Sequence, residues 1–197
     1  GVGKTISTLY PALKELGAEN AENIFYLTAK TITRTVAEDT IKLLKSRDYS
    51  LSSNDYGKRK NCIQEEMQCN PESCERAKGH FDRINEALYA LLTAECGISR
   101  ENILLFAEKY KVCPYELSFE AAVWADCIIC DYNYVFDPHV NRKSLIEGSL
   151  RQNIYLIDEA ITCLTGRERC IAQNIAKSDF KVPKKYFKTG TGFYLKS

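Results

Sequence analysis

Gly1-Val2-Gly3-Lys4-Thr5 is the first group of residues whose types and spacing suit phosphate chemistry. It matches the second half of a phosphate-binding loop, GxxxxGK[ST]. In such a loop the glycines let backbone amides approach phosphate oxygens, and the helix that follows adds a favourable dipole. We therefore expect Lys4 to reach the β and γ phosphates of a nucleotide and the Thr5 hydroxyl to bind Mg²⁺.

Asp158-Glu159-Ala160 is the second such group, and its first residue ends the apolar run 153–158. Ligands of α/β proteins bind outside the carboxyl ends of parallel strands, which is where an acidic pair after a buried strand would lie. Asp158 is expected to hold Mg²⁺ and Glu159 to orient or deprotonate the attacking water. A helix cap is the alternative for an isolated pair, but its occurrence after a phosphate-loop motif favours the nucleotide site.

Cys62, Cys69, Cys74 and Cys113 form a third group, separated by 6, 4 and 38 residues. Four thiolates that converge could hold a structural Zn²⁺ ion or a [4Fe-4S] cluster, and the spacing does not distinguish the two. Two further cysteines lie three positions apart in the run 126–131, where strand geometry would point them to opposite faces. We interpret Cys127 and Cys130 as core residues and Cys96 as a loop or helix-end residue.

The segments around these groups alternate between strand and helix patterns. A helix is predicted from Leu9, Leu13 and Leu16 up to Gly17, and the order then runs strand 23–28 and helix 31–45. Helices are predicted over 80–92, 99–110 and 115–125, and strands over 126–131 and 153–158. Such alternation is typical of a parallel sheet covered by helices, interrupted here by the cysteine-containing segment.

The composition limits the class of protein further. The 197 residues include 27 Lys+Arg and 26 Asp+Glu, and no apolar run approaches the roughly 20 residues that a membrane helix needs. Nine cysteines in a chain of this size, with a nucleotide motif, favour a reducing environment, so we expect a cytoplasmic location and no membrane partner. The charge is uneven: residues 161–197 carry 8 basic and 2 acidic side chains, which leaves 19 and 24 before them.

The order of these motifs resembles the first motor domain of the XPD and DinG group of iron-sulfur DNA helicases, in superfamily 2. The resemblance covers residues 1–160 and also includes 26–30 (YLTAK) and 129–134 (ICDYNY). It implies a RecA-like P-loop NTPase fold of the α/β class, truncated at its N-terminus, with an inserted and mostly helical iron-sulfur domain. The implied parts are a motor domain at 1–54 and 116–160, a four-cysteine insertion at 55–115, and a basic tail at 161–197.

The resemblance also implies a function for individual residues. It implies ATP-dependent unwinding of DNA in the 5′ to 3′ direction, on single-stranded DNA or a forked duplex, by an enzyme that is a monomer when complete. Thr28 and Lys30 match the motif that contacts the DNA backbone in such helicases, where a hydroxyl and a cation suit phosphate. ATP and Mg²⁺ are implied at Gly1, Val2, Gly3, Lys4, Thr5, Asp158 and Glu159, and a [4Fe-4S] cluster at Cys62, Cys69, Cys74 and Cys113.

The sequence departs from the family after Ala160, where Ile161 stands in place of a histidine. The charge changes at the same point, and one lost nucleotide in the coding sequence would explain both. The tail would then be out of frame, disordered or poorly packed, and Cys163 and Cys170 would have no chemical role. Resequencing tests this, because an in-frame isoleucine codon without a deletion would contradict it.

Two other functions remain open from the sequence. One is a non-catalytic, metal-stabilised module that binds nucleic acid and keeps only a remnant of the phosphate loop. The other is an unrelated P-loop NTPase with a zinc insertion. The strand before the phosphate loop and the second motor domain are also expected to be absent from this chain, so that it would bind nucleotide weakly and not unwind DNA alone.

Overall fold

A computed structural model describes residues 2–28, 31–47, 53–55, 62–64, 66, 68–94, 96–136, 153–158 and 192–196. The chain divides into two compact units. The first unit is Gly1–Leu51 together with Asp126–Ser197, and the second is Ser52–Ala125. Within the described residues, no helix is both long and apolar enough to cross a membrane.

The first unit contains a sheet with helices beside it. Its elements are α1 (Val2–Gly17), β1 (Ile24–Leu27), α2 (Thr31–Lys45), β3 (Cys127–Cys130), α6 (Asn133–Phe136), β4 (Ile154–Asp158) and β5 (Gly192–Lys196). Its strands follow the order β3-β1-β4-β5. β1 pairs in parallel with β3 and with β4, in a register that sets Ile24 opposite both Cys127 and Ile154. Three parallel strands with helices confirm the predicted RecA-like α/β fold.

The core of this unit lies between α1, α2 and one face of the sheet. The three parallel strands contribute alternate residues to it because side chains along a strand point to opposite faces. On this face Tyr26 and Ile129 pack with Leu9 of α1 and Ile41 of α2. On the other face, the rings of Phe25 and Tyr155 stack with their centroids 5.2 Å apart.

Cys127 and Cys130 are both buried in β3, and only Cys127 belongs to the core cluster beside α1 and α2. The prediction that these two are ordinary core residues is therefore confirmed. Burial also raises the pKa of Cys127, to about 12, which keeps the thiol protonated.

The second unit is mainly helical. It contains β2 (Ser53–Asp55), α3 (His80–Thr93), α4 (Arg100–Tyr110) and α5 (Pro114–Ala122). The three helices pack against one another. Ser99 caps the start of α4, where its side chain accepts a hydrogen bond from the N–H of Asn102 at 3.2 Å. Lys111 ends α4 in the left-handed region, with φ of 54°.

The observed elements differ from the predicted ones in three places. β2, α6 and β5 were not predicted, and β5 lies in the tail for which the sequence predicted disorder. Gly192–Lys196 forms a strand that pairs antiparallel with β4, where the sequence predicted a disordered or poorly packed tail. The second unit also extends past the predicted insertion of 55–115 to Ala125, because α5 packs against α3 and α4.

Candidate nucleotide site and cysteine group

The residues of the phosphate-loop motif lie at the start of α1. Gly3 and Lys4 are exposed, and a Cβ added at Gly3 would meet no atom within 4 Å. Thr5 is buried, with 8% of its surface exposed. Gly1 lies outside the described residues, and Val2 is described only as the first residue of the helix.

Tyr26 connects the two nucleotide motifs. Its hydroxyl is hydrogen-bonded to the side chain of Thr5, and Asp158 is close enough to act on it electrostatically. Burial is the main reason that the pKa of Tyr26 rises to about 12, and the charge of Asp158 adds to it, while the bond to Thr5 opposes the rise. The start of α1 and the end of β4 are thus brought to one tyrosine.

Asp158 stands half-buried at the carboxyl end of β4, as the sequence predicted. Its backbone carbonyl accepts a hydrogen bond from the hydroxyl of Tyr132, which follows β3. This contact holds the last residue of β4. Glu159, the predicted catalytic residue, lies outside the described residues.

Thr28 is 2% exposed, although the family motif implies that it contacts DNA. Its hydroxyl is paired with that of Thr33, and its N–H donates to the carbonyl of Cys130 at 3.0 Å. As placed, the side chain is engaged inside the protein, so a role in DNA contact stays a prediction. Lys30 lies outside the described residues.

Arg34 was not singled out by the sequence, yet it connects α2 to Asp131 of the motif 129–134. It is buried in the first turn of α2, and its guanidinium NH2 lies 2.5 Å from Oδ1 of Asp131. Asp131 directly follows β3 and precedes Tyr132. A charged hydrogen bond of this kind holds the starts of α2 and α6 in fixed positions near the carboxyl end of the sheet.

All four cysteines of the predicted metal group are free thiols in the second unit. Cys62, Cys74 and Cys113 are partly buried and Cys69 is exposed. Burial raises the pKa of Cys113, with backbone hydrogen bonds from Glu116 and Tyr115 opposing this and the charge of Cys74 contributing to it. Cys74 and Cys113 are therefore within electrostatic reach of each other.

Hydrogen bonds organise the loop that carries three of these cysteines. Oδ1 of Asn70 accepts bonds from the N–H groups of Glu72, at 3.1 Å, and Ser73, at 2.7 Å. The N–H of Cys74 donates to the carbonyl of Asn70 at 3.0 Å. Nε2 of Gln64 donates to the carbonyl of Ser73 at 3.0 Å, which ties the segment of Cys62 to that of Cys74.

The donor chemistry of this group suits a thiolate-bound metal centre. The geometry is less complete: among the described residues, no three or more His, Cys, Asp or Glu side chains converge as a metal site. Cys74 acts electrostatically on Cys113, and Gln64, two residues after Cys62, is hydrogen-bonded to Ser73 beside Cys74. Cys96 is exposed in a turn, as predicted.

Three residues to which the sequence analysis assigned no role share one property. Tyr26, Tyr132 and Arg34 act through partners that are far away along the chain. The available signals were a tyrosine in the apolar strand β1 and a polar motif after β3. Neither signal specifies a partner, so only the fold reveals these contacts.

Comparison with known proteins is consistent with this arrangement. The chain is 24% identical over 176 residues to a Fanconi anemia group J protein homolog of Gallus gallus, covering 85% of this chain and 14% of that protein. It is 28% identical over 158 residues to a regulator of telomere elongation helicase 1 homolog of Anopheles gambiae, covering 80% of this chain and 14% of that protein. This chain thus spans about a seventh of the length of these relatives.

A family model, DEAD_2, matches residues 5–180 and so reaches beyond Ala160 into the segment predicted to be a tail. The match includes Thr5, Tyr26, Asp158 and all four cysteines of the predicted metal group. This confirms the resemblance read from the motifs. The chain belongs to the DEAD_2 family of XPD-like and DinG-like helicases.

Proposed function

We propose that this chain is the nucleotide-binding part of an ATP-dependent DNA helicase that acts on single-stranded or forked DNA. The observation that carries the proposal is that the start of α1, with Lys4 and Thr5, and the carboxyl end of β4, with Asp158, lie in one unit, where Thr5 and Asp158 both affect the pKa of Tyr26. Membership of the DEAD_2 family supports the same function.

The chain's own residues would divide the work at this site. Lys4 is exposed at the start of α1, where its ammonium can reach phosphate oxygens that the helix dipole also attracts. A threonine hydroxyl has one proton and two lone pairs, so its hydrogen bond with Tyr26 leaves a lone pair free to face a cation. Asp158 supplies a carboxylate beside it, and Glu159 would orient water. Bound Mg²⁺ would neutralise charge on the phosphates.

The test of this function is nucleotide binding by the chain and DNA-stimulated ATP hydrolysis by the full-length protein that contains it. Lys4→Ala should weaken binding of Mg-ATP by about tenfold or more, because a charged hydrogen bond to phosphate is lost. Lys14→Ala is the matched control, since Lys14 is exposed on the same helix and lies over the ring of Tyr10, with its Nζ 5.0 Å from the centroid.

Hydrolysis that rises with single-stranded DNA and is lost in Lys4→Ala supports a helicase. DNA binding without any nucleotide binding would instead favour the non-catalytic module. Equal behaviour of the Lys4 and Lys14 variants would contradict the proposed nucleotide site.

We also propose that Cys62, Cys69, Cys74 and Cys113 bind a [4Fe-4S] cluster. The support is the set of four free thiols, the electrostatic effect of Cys74 on Cys113, and the hydrogen bond by which Gln64 joins the segment of Cys62 to Ser73 beside Cys74. Such a cluster supplies a cross-link that would fix the loop relative to α5.

Anaerobic purification tests the cluster. The protein should be brown with broad visible absorption and contain iron and sulfide, and each of the four Cys→Ser variants should lose most of both. Cys96→Ser is the control, because Cys96 is an exposed thiol of the same unit outside the group. A colourless protein that contains zinc would favour the zinc alternative instead.

A further inference from the structure

The backbone of Cys113 is held by a histidine from a different helix. The N–H of Cys113 donates to Nδ1 of His80 at 3.2 Å, across 33 positions of sequence. His80 is 5% exposed and is the first residue of α3, directly after Gly79. An imidazole nitrogen accepts a hydrogen bond only when it carries no proton, so the ring must be neutral with its proton on Nε2.

Arg83, one turn further along α3, holds the segment that precedes Cys113. Its Nε donates to the carbonyl of Tyr110 at 3.2 Å, and its NH2 donates to the carbonyls of Lys111 and Lys78 at 2.8 Å each. The last carbonyls of a helix have no partner inside the helix, and a cation there also interacts favourably with the helix dipole. Arg83 thus satisfies the end of α4 and fixes its position relative to α3.

Arg76 also bonds to α4. Its NH1 donates to the carbonyl of Ala107 at 2.7 Å, and its NH2 is paired with the carboxylate of Glu108. Only Glu75 separates Arg76 from Cys74. The segment that follows Cys74 is therefore bonded to α4, the helix that leads to Cys113.

The conformation of Cys113 is also restricted on its carboxyl side. Pro114 begins α5, and a residue before proline is limited to extended conformations. Cys113 has φ of −69° and ψ of 120°, in agreement with that limit. With its amide held by His80 and its carbonyl side set by Pro114, the direction of its Cα–Cβ bond is fixed before any metal is bound.

We propose that His80 is a positioning residue that sets the Cys113 thiol for its metal centre, with Arg83 holding the preceding turn. The inference rests on the proposed cluster at Cys113. Groups outside the ligands of a metal commonly orient those ligands, and their loss lowers metal affinity by about 10- to 100-fold. His80 acts here through the backbone of the ligand and does not itself touch the metal centre.

His80→Leu and His80→Asn form the matched test. Leucine removes the acceptor while keeping an apolar side chain, whereas the amide oxygen of asparagine can take the place of Nδ1. The first readout is alkylation of Cys113 by iodoacetamide in the metal-free chain, followed by mass spectrometry with Cys96 as the internal reference. The second is iron bound per chain after anaerobic reconstitution over a range of iron concentrations.

In His80→Leu we expect iodoacetamide to alkylate Cys113 several-fold faster than in the wild type, and half-loading to need about tenfold more iron. His80→Asn should behave like the wild type in both measurements. The proposal is overturned if the leucine variant matches the wild type in both readouts, or if both variants are affected equally. A wild-type chain that binds no iron would refute the cluster, while the alkylation rates would still decide the role of His80.

Arg83→Lys provides a second variant in case leucine at position 80 prevents folding. Lysine keeps the charge but loses the forked donors that reach the carbonyls of Tyr110 and Lys111. Faster alkylation of Cys113 in this variant supports the proposal. An unchanged rate in Arg83→Lys, together with an unfolded His80→Leu chain, would refute it.

Discussion

At the scale of single residues, Tyr26 shows how a core side chain can also serve a site. Its ring packs in the cluster between the sheet and α1, and its hydroxyl is bonded to Thr5 close to Asp158. The phosphate-loop motif and the acidic motif were recognisable in the sequence because they consist of adjacent residues. The tyrosine that joins them was not, because its role depends on a contact between β1 and α1.

Tyr26 gives a prediction for alkaline stability. Burial raises its pKa from 10.0 to about 12, so between these values the unfolded chain loses a proton that the folded chain retains. The free energy of unfolding should therefore fall as the pH rises through this window, by up to about 3 kcal/mol. Tyr26→Phe should remove this part of the fall, as measured by urea denaturation at several pH values.

Tyr89→Phe is the control for this experiment, because Tyr89 is exposed on α3. Tyr155 and Cys127, whose pKa values are also raised mainly by burial, remain in both variants and cancel in the comparison. The assignment to Tyr26 fails if the wild type and Tyr26→Phe lose stability equally between pH 10 and 12.

At the scale of elements, apolar periodicity predicted the helices and the buried strands well. The helix 31–45 was expected from Ile32, Val36, Ile41 and Leu44, and α2 has those bounds. Yet Ile32 is 78% exposed, because a periodic pattern indicates a helix without showing which apolar residues find partners. β2, formed by Ser-Asn-Asp, has no apolar signal, and β5 depends on a free edge of β4, which is a property of the fold.

Gly79 gives a prediction at this scale, since it joins the cysteine loop to α3. It has φ of 64°, and a Cβ there would lie 2.7 Å from NH1 of Arg83. Gly79→Ala should therefore cost about 1 kcal/mol for the left-handed backbone and about 1–2 kcal/mol more for displacing the hydrogen bonds of Arg83. Urea denaturation followed by the fluorescence of Trp124, which lies in the same unit, measures the loss.

Gly97→Ala separates the two contributions to that loss. Gly97 has φ of 73°, but a Cβ there would meet nothing within 4 Å, so only the backbone cost applies. Gly79→Ala should be the more destabilising of the two, and the difference should equal the cost of displacing the hydrogen bonds of Arg83. Equal losses would show that the guanidinium moves without cost.

At the scale of the whole molecule, the two units have different relations to the proposed ligands. The nucleotide motifs lie in the first unit, whereas Cys62, Cys69, Cys74 and Cys113 all lie in the second. A ligand that binds only the folded form stabilises the part of the protein that must be folded to bind it. Loss of the metal should therefore destabilise the second unit more than the first.

Hydrogen exchange measured by mass spectrometry checks this expectation. Removal of iron by a chelator should speed amide exchange in α3, α4 and α5, because the cross-link between the cysteine loop and α5 is lost. Exchange in β1 and β4 should change little. Cys113→Ser, already without the cross-link, should show no response to the chelator, and an equal response of β1 in the wild type would contradict the expectation.

The order of strands in the sheet has a consequence for how the protein is made. β1 pairs with β3 and β4, which are synthesised only after the whole of the second unit, whereas that unit is one continuous segment, Ser52–Ala125. Domains generally fold as units during synthesis, and contacts between distant residues form slowly. On the ribosome, we therefore expect the cysteine-containing unit to fold first. The apolar side chains and unpaired backbone edges of β1 would stay exposed, open to a chaperone, until β3 and β4 have been synthesised.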